Sequence, residues 1–502
     1  MSKNENLSSE SIHSDLTGYL AESASVQQET NQNDIDFRAR EKAVALFHRT
    51  YQAARGYQDY VDKLAVDVSK IQTAADFERI PIMTKAGYIS QYPLKDRLVD
   101  GRTMADCYML TATTGSTGKP VLWPRDYQAD QALVGAFVRV YRDCFHIDQR
   151  KTLHIIQNIL GTTPAGMVMS QLSWGASQNH QMTTVTPGMD LDQAIMMIRE
   201  VGAHYDQIII STYPPYLKAL LDRADEVGLE LSDHRIKFAC TGENFSQQFR
   251  NHMVSRLGDL AAREDIISFY GCTEAGLIGA ETPLSVALTG AATDNGELAK
   301  YLFGTSEVPN IMAYNPASKL LESTSAFSGL EEILMTADQP APLIRYHILD
   351  RGGLLTGKDI QQAIVNYDLP LALPPEDARF VYVLGRSNCV NLRGLSFYVE
   401  GIRYCLENSH FADKFTGEFQ YGTKMNTQFE DELHVVIHLK PNYELTSSQQ
   451  ETFHQEFWDN LHVINPIMHL LAEQMLYSGV LKLSFAYGTD QAERSGKYKY
   501  FL

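Results

Sequence analysis

The chain has 502 residues, 44% of them hydrophobic, and its 61 acidic against 43 basic side chains give a formal charge of −18. That balance argues against a general binder of nucleic acid or anionic membrane, and no apolar run reaches the roughly 18 residues a membrane helix needs. The opening MSKNENLSSESIHSD lacks a signal peptide's apolar core, and the six scattered cysteines form no CxxC pair, so a soluble cytoplasmic enzyme of more than one domain is expected.

Residues 1–35 are rich in Ser, Asn, Glu and Gln and are expected to form a disordered tail, because they cannot offset ordering entropy by burial. Helical spacing begins at Asp36 and runs to about Ala65, through Ala43, Val44, Leu46, Phe47 and Tyr51. Then comes IPIMTKAGYISQYP, from Ile80 to Pro93. Thr113–Pro120 reads TTGSTGKP, with hydroxyls at Thr113, Thr114, Ser116 and Thr117, glycines at Gly115 and Gly118, and Lys119. Glycines let backbone approach a ligand closely, while hydroxyls, exposed N–H groups and a lysine suit phosphate oxygens. An ordinary surface turn has much the same composition. A P-loop is excluded: only Ser116 and Thr117 separate Gly115 from Gly118-Lys119, and Pro120 follows the lysine.

Beyond this loop, apolar runs alternate with amphipathic stretches. Helices are expected at Tyr127–Arg142, Ala194–Gly202 and Lys218–Val227. Strands are expected at Leu153–Ile156, Val185–Pro187, Asp206–Ser211, Ile236–Cys240 and Ile266–Phe269. This alternation predicts parallel α/β layers, in which ligands gather at the carboxyl ends of strands. TTGSTGKP, TYPPYL, TGE and YGCTE all sit at such ends. In YGCTE the chemistry is legible: Tyr270 can stack on a purine, Thr273 can donate to a phosphate, and Glu274 can ligate magnesium. Residues 285–328 receive no role. Val435–Leu439 and Ser447–His462 predict a strand and a helix of a small α+β domain.

The ordered set of motifs resembles the adenylate-forming (acyl-CoA synthetase) superfamily over roughly residues 80–500. TTGSTGKP meets every position of that family's phosphate loop, and YGCTE matches its Y-G-x-T-E. TYPPYL and Thr241-Gly242-Glu243 resemble further family segments, and IPIMTK with the following YP is similar to the phenylacetate–CoA ligase branch. PLIRYHILD resembles P-L-I-R-Y-x-T-G-D, with Ile348-Leu349 where Thr-Gly is usual. Residues 380–402 resemble the hinge motif, with its aspartates replaced around Ser387–Cys389 and the spacing from Arg386 to Arg393 one residue short. Arg494–Lys499 places Lys497 in the family's terminal S-G-K context, with Lys499 as runner-up.

The resemblance implies an α/β fold, with a large multi-layer adenylation domain (36–384) and a small mobile α+β lid domain (385–502). It implies ATP and Mg2+ as cofactors, with CoA or a carrier-protein thiol as co-substrate. Nucleotide binding would fall to the 113–119 loop, Gly242, Glu243, Tyr270, Gly271, Asp350 and Arg386. The acyl pocket would be lined by Asn158, Gly161, Tyr213 and Gly276. Catalysis would fall to Lys497, Thr273 and Glu274, with Glu274 on the metal. Partners would be a small carboxylic acid and, as options, an acyl carrier protein and a second copy of the chain. Amide formation, transfer of AMP to a product, and a catalytically weakened binding homologue stay open as alternatives.

Overall fold

The computed structural model describes residues 32–113, 121–162, 164–259, 261–327, 331–386, 389–392, 395–440, 443–464 and 479–487. Within them the chain divides into two compact units, one of 32–111 with 122–386 and a second of 112, 113, 121 and the residues from 389 onward.

β1 (Met109–Ala112), in the first unit except for its last residue, and β2 (Leu122–Arg125) pair as a short ribbon. The following strands are β3 (Thr152–Ile156), β4 (Met182–Val185), β5 (Gln207–Thr212), β6 (Ile236–Thr241), β7 (Ile266–Cys272), β8 (Gly276–Ala280), β9 (Ile311–Tyr314), β10 (Lys319–Thr324), β11 (Glu332–Ala337), β12 (Leu343–Thr356) and β13 (Arg379–Arg386). They form one eleven-stranded sheet in the order β10-β11-β12-β13-β9-β8-β7-β6-β5-β3-β4. The run β4-β3-β5-β6-β7 is parallel, and every pairing from β7 through β10 is antiparallel. Every residue of β3 and β5 is buried, as strands covered on both faces require.

Helices Tyr127–Phe145 and Pro164–Ala176 pack Phe137, Tyr141, Phe145 and Leu172 against Ile209 and Ile267 of the parallel strands. A second core lies in the 285–328 region that sequence left without a role and in its neighbours. Helices Pro283–Asp294, Gly296–Phe303 and Gly357–Asn366 bury Leu284, Leu298 and Ile360 with Phe380 of β13. The helix expected from Asp36 begins at Gln32, inside the stretch read as tail, and breaks at Ala54 before resuming at Arg55–Lys63. Asp36 ties it down through an ion pair with the buried Arg379, 2.9 Å away. Residues 1–31, including Ile12, Leu16, Tyr19 and Leu20, lie outside the described residues.

In the second unit, β14 (Cys389–Leu392) and β15 (Leu395–Tyr398) form a hairpin. Strands β16 (Phe415–Met425), β17 (Asp431–Leu439) and β18 (Leu481–Tyr487) form a three-stranded mixed sheet. Helices Val399–Glu407 and Ser447–Ile464 complete an α+β unit whose core includes Phe419, Ile437, Phe453 and Phe457. The expected strand and helix here are both present, each slightly longer than sequence gave reason to draw them.

Candidate active site

Because β3, β5, β6 and β7 are parallel neighbours, the segments after them emerge along one edge of the sheet. Gln157 and Asn158 follow β3, Tyr213 follows β5, Gly242 and Glu243 follow β6, and Thr273 and Glu274 follow β7. The loop after β6 is pinned to β13 by Asn244, whose side-chain amide donates to the Val383 carbonyl at 2.7 Å.

Asp350 is the centre of the first group. It is buried in β12 opposite Arg386 of β13. Its Oδ1 accepts from Arg386 Nε at 2.8 Å and its Oδ2 from the Tyr270 hydroxyl at 2.7 Å. Burial, reinforced by the Asp350 carboxylate, pushes the Tyr270 hydroxyl well above its ordinary range, so it stays a donor. Each Asp350 oxygen therefore has one fixed donor and keeps lone-pair capacity for a further hydroxyl. The Tyr346 hydroxyl lies 3.4 Å from Glu274 Oε1, which joins Glu274 to the same face. Tyr346 was read from sequence only as a motif match; its alternation with Arg345 on β12 is the signal that puts it beside Glu274.

The backbone here is specialised. Leu349, one residue before Asp350, has φ of 74°, the left-handed conformation that favours glycine, and it occupies the position where the family pattern has Gly. Leu349 thus holds a backbone conformation that a glycine would adopt at lower cost. The IPIMTK segment is fastened to the same strand: the Met83 N–H donates to the Arg345 carbonyl at 3.1 Å, and the His347 N–H to the Met83 carbonyl at 2.9 Å. Thr84 caps the following turn by accepting from the Gly87 N–H.

A second group gathers after β3, β5 and β6. Gly242 has φ of 90°, and a Cβ there would stand 2.8 Å from the Tyr213 ring. Tyr213 is buried; burial pushes its hydroxyl up to about 12, with Asn158 and the Ile159 backbone opposing and Glu243 adding to the rise. Asn158, Tyr213, Gly242 and Glu243 are thereby neighbours. Gly276 and Gly271 meet across the β7–β8 turn, where a Cβ on Gly271 would stand 2.7 Å from the Gly276 carbonyl oxygen. Gly161 stands apart from these groups, exposed, with φ of 112° and no neighbouring atom where a Cβ would go.

Thr113 closes the glycine-rich loop. Its N–H donates to the Val121 carbonyl and its hydroxyl accepts from the Val121 N–H, both at 3.0 Å. Thr114, Gly115, Ser116, Thr117, Gly118, Lys119 and, at the other end of the chain, Lys497 lie outside the described residues. So do Ser387, Asn388, Arg393 and Gly394 of the hinge motif; Gly385 and Arg386 end β13 in the larger unit.

Among the described residues no group of three or more His, Cys, Asp or Glu side chains could cage a metal, and no helix is long and apolar enough to cross a membrane. A magnesium ion bound with nucleotide does not need such a cage, since one or two carboxylates plus phosphate oxygens and water suffice. The partly exposed Glu274 carboxylate, whose Oε1 has the Tyr346 hydroxyl 3.4 Å away, fits that role.

No family model matches the chain, and no curated protein matches it by sequence. Solved structures do match. A 2-hydroxyisobutyryl-CoA ligase in complex with 2-HIB-AMP and CoA, in the thioesterification state, aligns with TM-score 0.63 at 14% identity, over 93% of this chain and 89% of that one. An open conformation of that ligase with 2-HIB-AMP and CoA aligns with TM-score 0.53 at 12% identity, over 96% of both chains. Its postadenylation state with 2-HIB-AMP gives TM-score 0.53 at 13% identity, over 96% of this chain and 94% of that one. The chain therefore shares the mixed α/β fold of these acid–CoA ligase structures.

Proposed function

We propose that the chain activates a carboxylic acid with ATP and then passes the acyl group to a thiol. In the first step a carboxylate oxygen bonds to the α-phosphorus, the bond from that phosphorus to the β-phosphate bridge breaks, and pyrophosphate leaves. In the second, a thiolate sulfur attacks the acyl carbonyl and AMP leaves with its oxygen.

The observation that carries this reading is the Tyr270–Asp350–Arg386 arrangement beside Glu274, at the carboxyl edge of the parallel strands. A buried carboxylate with both oxygens oriented is suited to two ribose hydroxyls. Two anions must approach in the first step, so neutralising charge is the main task. Magnesium on Glu274 would supply part of that neutralisation when bound, and Thr273, in the adjoining turn, would donate to the α-phosphate. The resemblance adds the 113–119 loop for the phosphates, Gly242 and Glu243 for the nucleotide, and Lys497 at the junction of carboxylate and phosphate.

The fold likeness to a CoA ligase favours CoA as the thiol over a carrier protein or an amine. The IPIMTK segment, fastened to β12, supports placement in the phenylacetate–CoA ligase-like branch. Screening carboxylates for pyrophosphate release, with and without CoA, tests the proposal. Acid-dependent release that turns over faster with CoA is the expected result; no release with any acid would sink it.

A further inference from the structure

Arg97 ends the short helix Leu94–Arg97 and is 4% exposed. Contacts on either side of it fix the backbone: the Val99 N–H donates to the Pro340 carbonyl at 3.1 Å, and Leu94 and Leu98 pack with Ala341. The guanidinium lies over the Trp123 ring, its carbon 5.1 Å from the ring centroid. Trp123 is buried in β2, where its carbonyl accepts from the Thr111 hydroxyl at 3.5 Å.

The donors of this pair lack acceptors. Arg97 Nε, Arg97 Nη1 and Trp123 Nε1 are all buried and meet no hydrogen-bond partner among the described residues. The other buried arginines show what is missing. Arg125 pairs with Asp130, Arg250 with Glu281, Arg345 with Glu322 and Arg379 with Asp36. Among the described residues Arg97 has no such carboxylate; the titratable groups acting on it are Tyr88 and Tyr346. Burial pushes both of those hydroxyls far above their ordinary range, so neither supplies a negative charge. Arginine cannot shed its own charge to escape burial. Stacking on Trp123 uses the face of the guanidinium and leaves its in-plane N–H bonds unmet. A cation and an indole N–H together, with donors only, call for an anion rich in acceptor oxygens.

The chain places this pair beside residues already assigned to the nucleotide. Trp123 follows Pro120, the end of TTGSTGKP, by three residues. Tyr346, one of the two groups acting on Arg97, has its hydroxyl 3.4 Å from Glu274 Oε1.

We propose that Arg97 and Trp123 form an anion subsite that takes the terminal phosphate oxygens of ATP and holds them as pyrophosphate leaves. This rests on the ATP-dependent reading above. A substrate carboxylate is the other source of anionic oxygen, and the test separates the two.

The full-length protein is titrated calorimetrically, with magnesium present, against pyrophosphate, ATP, AMP, acetate and phenylacetate. Arg97→Met should weaken pyrophosphate and ATP by about tenfold or more, the scale of losing a charge-assisted contact. Arg97→Lys should fall between methionine and wild type, because it restores the charge without the planar fork. Trp123→Phe keeps a ring under the guanidinium and removes only the N–H, so it should cost pyrophosphate a few-fold. AMP lacks the terminal phosphates and should bind all three variants as it binds wild type, which also reports that they are folded. Pyrophosphate affinity unchanged in Arg97→Met overturns the proposal. AMP weakened as much as pyrophosphate in all three variants overturns it too, and assigns the pair to the fold. A loss confined to acetate or phenylacetate overturns it by giving the cation to the acid. Binding is read without turnover: pyrophosphate held through Arg97 in a protein that shows no acid-dependent pyrophosphate release would reject activation and leave the subsite standing.

Discussion

Asp350 shows how a single residue is prepared before any ligand arrives. Its two oxygens are held by Arg386 Nε and the Tyr270 hydroxyl, so its orientation is set by the protein. If Asp350 holds the ribose as proposed, its contacts act on ground and transition states alike, so Asp350→Ala should raise KM for ATP by about 10- to 100-fold with a smaller effect on kcat. If the Tyr270 hydroxyl acts through Asp350, Tyr270→Phe should cost only a few-fold, and the two substitutions together should cost no more than Asp350→Ala alone. A steady-state double-mutant cycle on KM for ATP checks this; independent, multiplying effects would show that Tyr270 meets the nucleotide by itself. Leu349 is the complementary case. Its left-handed backbone costs roughly 1–2 kcal/mol in an ordinary side chain, yet it is over-determined by the Asp350–Arg386 pairing on one side and the Met83 bridge to Tyr346 on the other.

At the scale of elements, β3 carries a polar network through an otherwise apolar core. His154 is fully buried; Nδ1 lies 2.8 Å from the Ser173 hydroxyl, and Nε2 lies 2.8 Å from that of Ser211 and 3.1 Å from that of Tyr141. Burial lowers the imidazole to about 3, against an ordinary 6.5. A base whose folded value is depressed protonates first in the unfolded chain. Its neutral, folded form is thus fully favoured above about 6.5, and stability falls as pH drops from there toward 3. One such group contributes a slope of about 1.4 kcal/mol per pH unit inside that window. Chemical denaturation between pH 4 and 6 should show His154→Gln with a shallower loss than wild type; parallel slopes would mean that His154 is not the group titrating. The elements also show what sequence makes visible. β3, β5, β6 and β7 were legible because fully buried parallel strands are short apolar runs with turn residues after them, and the site segments fall where those runs stop. The Gln32 start of the first helix was not, because the Asp36–Arg379 pair that anchors it spans 343 positions. Nor was the burial of Lys319, since a lysine opening a strand after an Asn-Pro turn reads as solvated.

At the scale of the whole molecule, the resemblance assigns the charge that would complete the proposed first step to the far end of the chain. The described site has Glu274, Asp350 and Arg386 in the larger unit, and Arg386 is already paired with Asp350. On the proposed reading those groups bind and orient a nucleotide, and the meeting of two anions in the first step calls for a further cation. The terminal SGK context of Lys497 fills that need by resemblance. If Lys497 neutralises the meeting carboxylate and α-phosphate, its loss acts on one half-reaction only. Lys497→Ala should lower acid-dependent pyrophosphate release by about two orders of magnitude or more, the scale for removing one charge-stabilising donor. Transfer of the acyl group from preformed acyl-adenylate to CoA should persist, because the phosphorus–oxygen bond has by then formed and the leaving group is AMP. Single-turnover measurements of each half-reaction, with Lys499→Ala as the neighbouring control, decide between this and a general loss. Equal damage to both half-reactions, or a larger first-step defect in the Lys499 variant, would move the role away from Lys497.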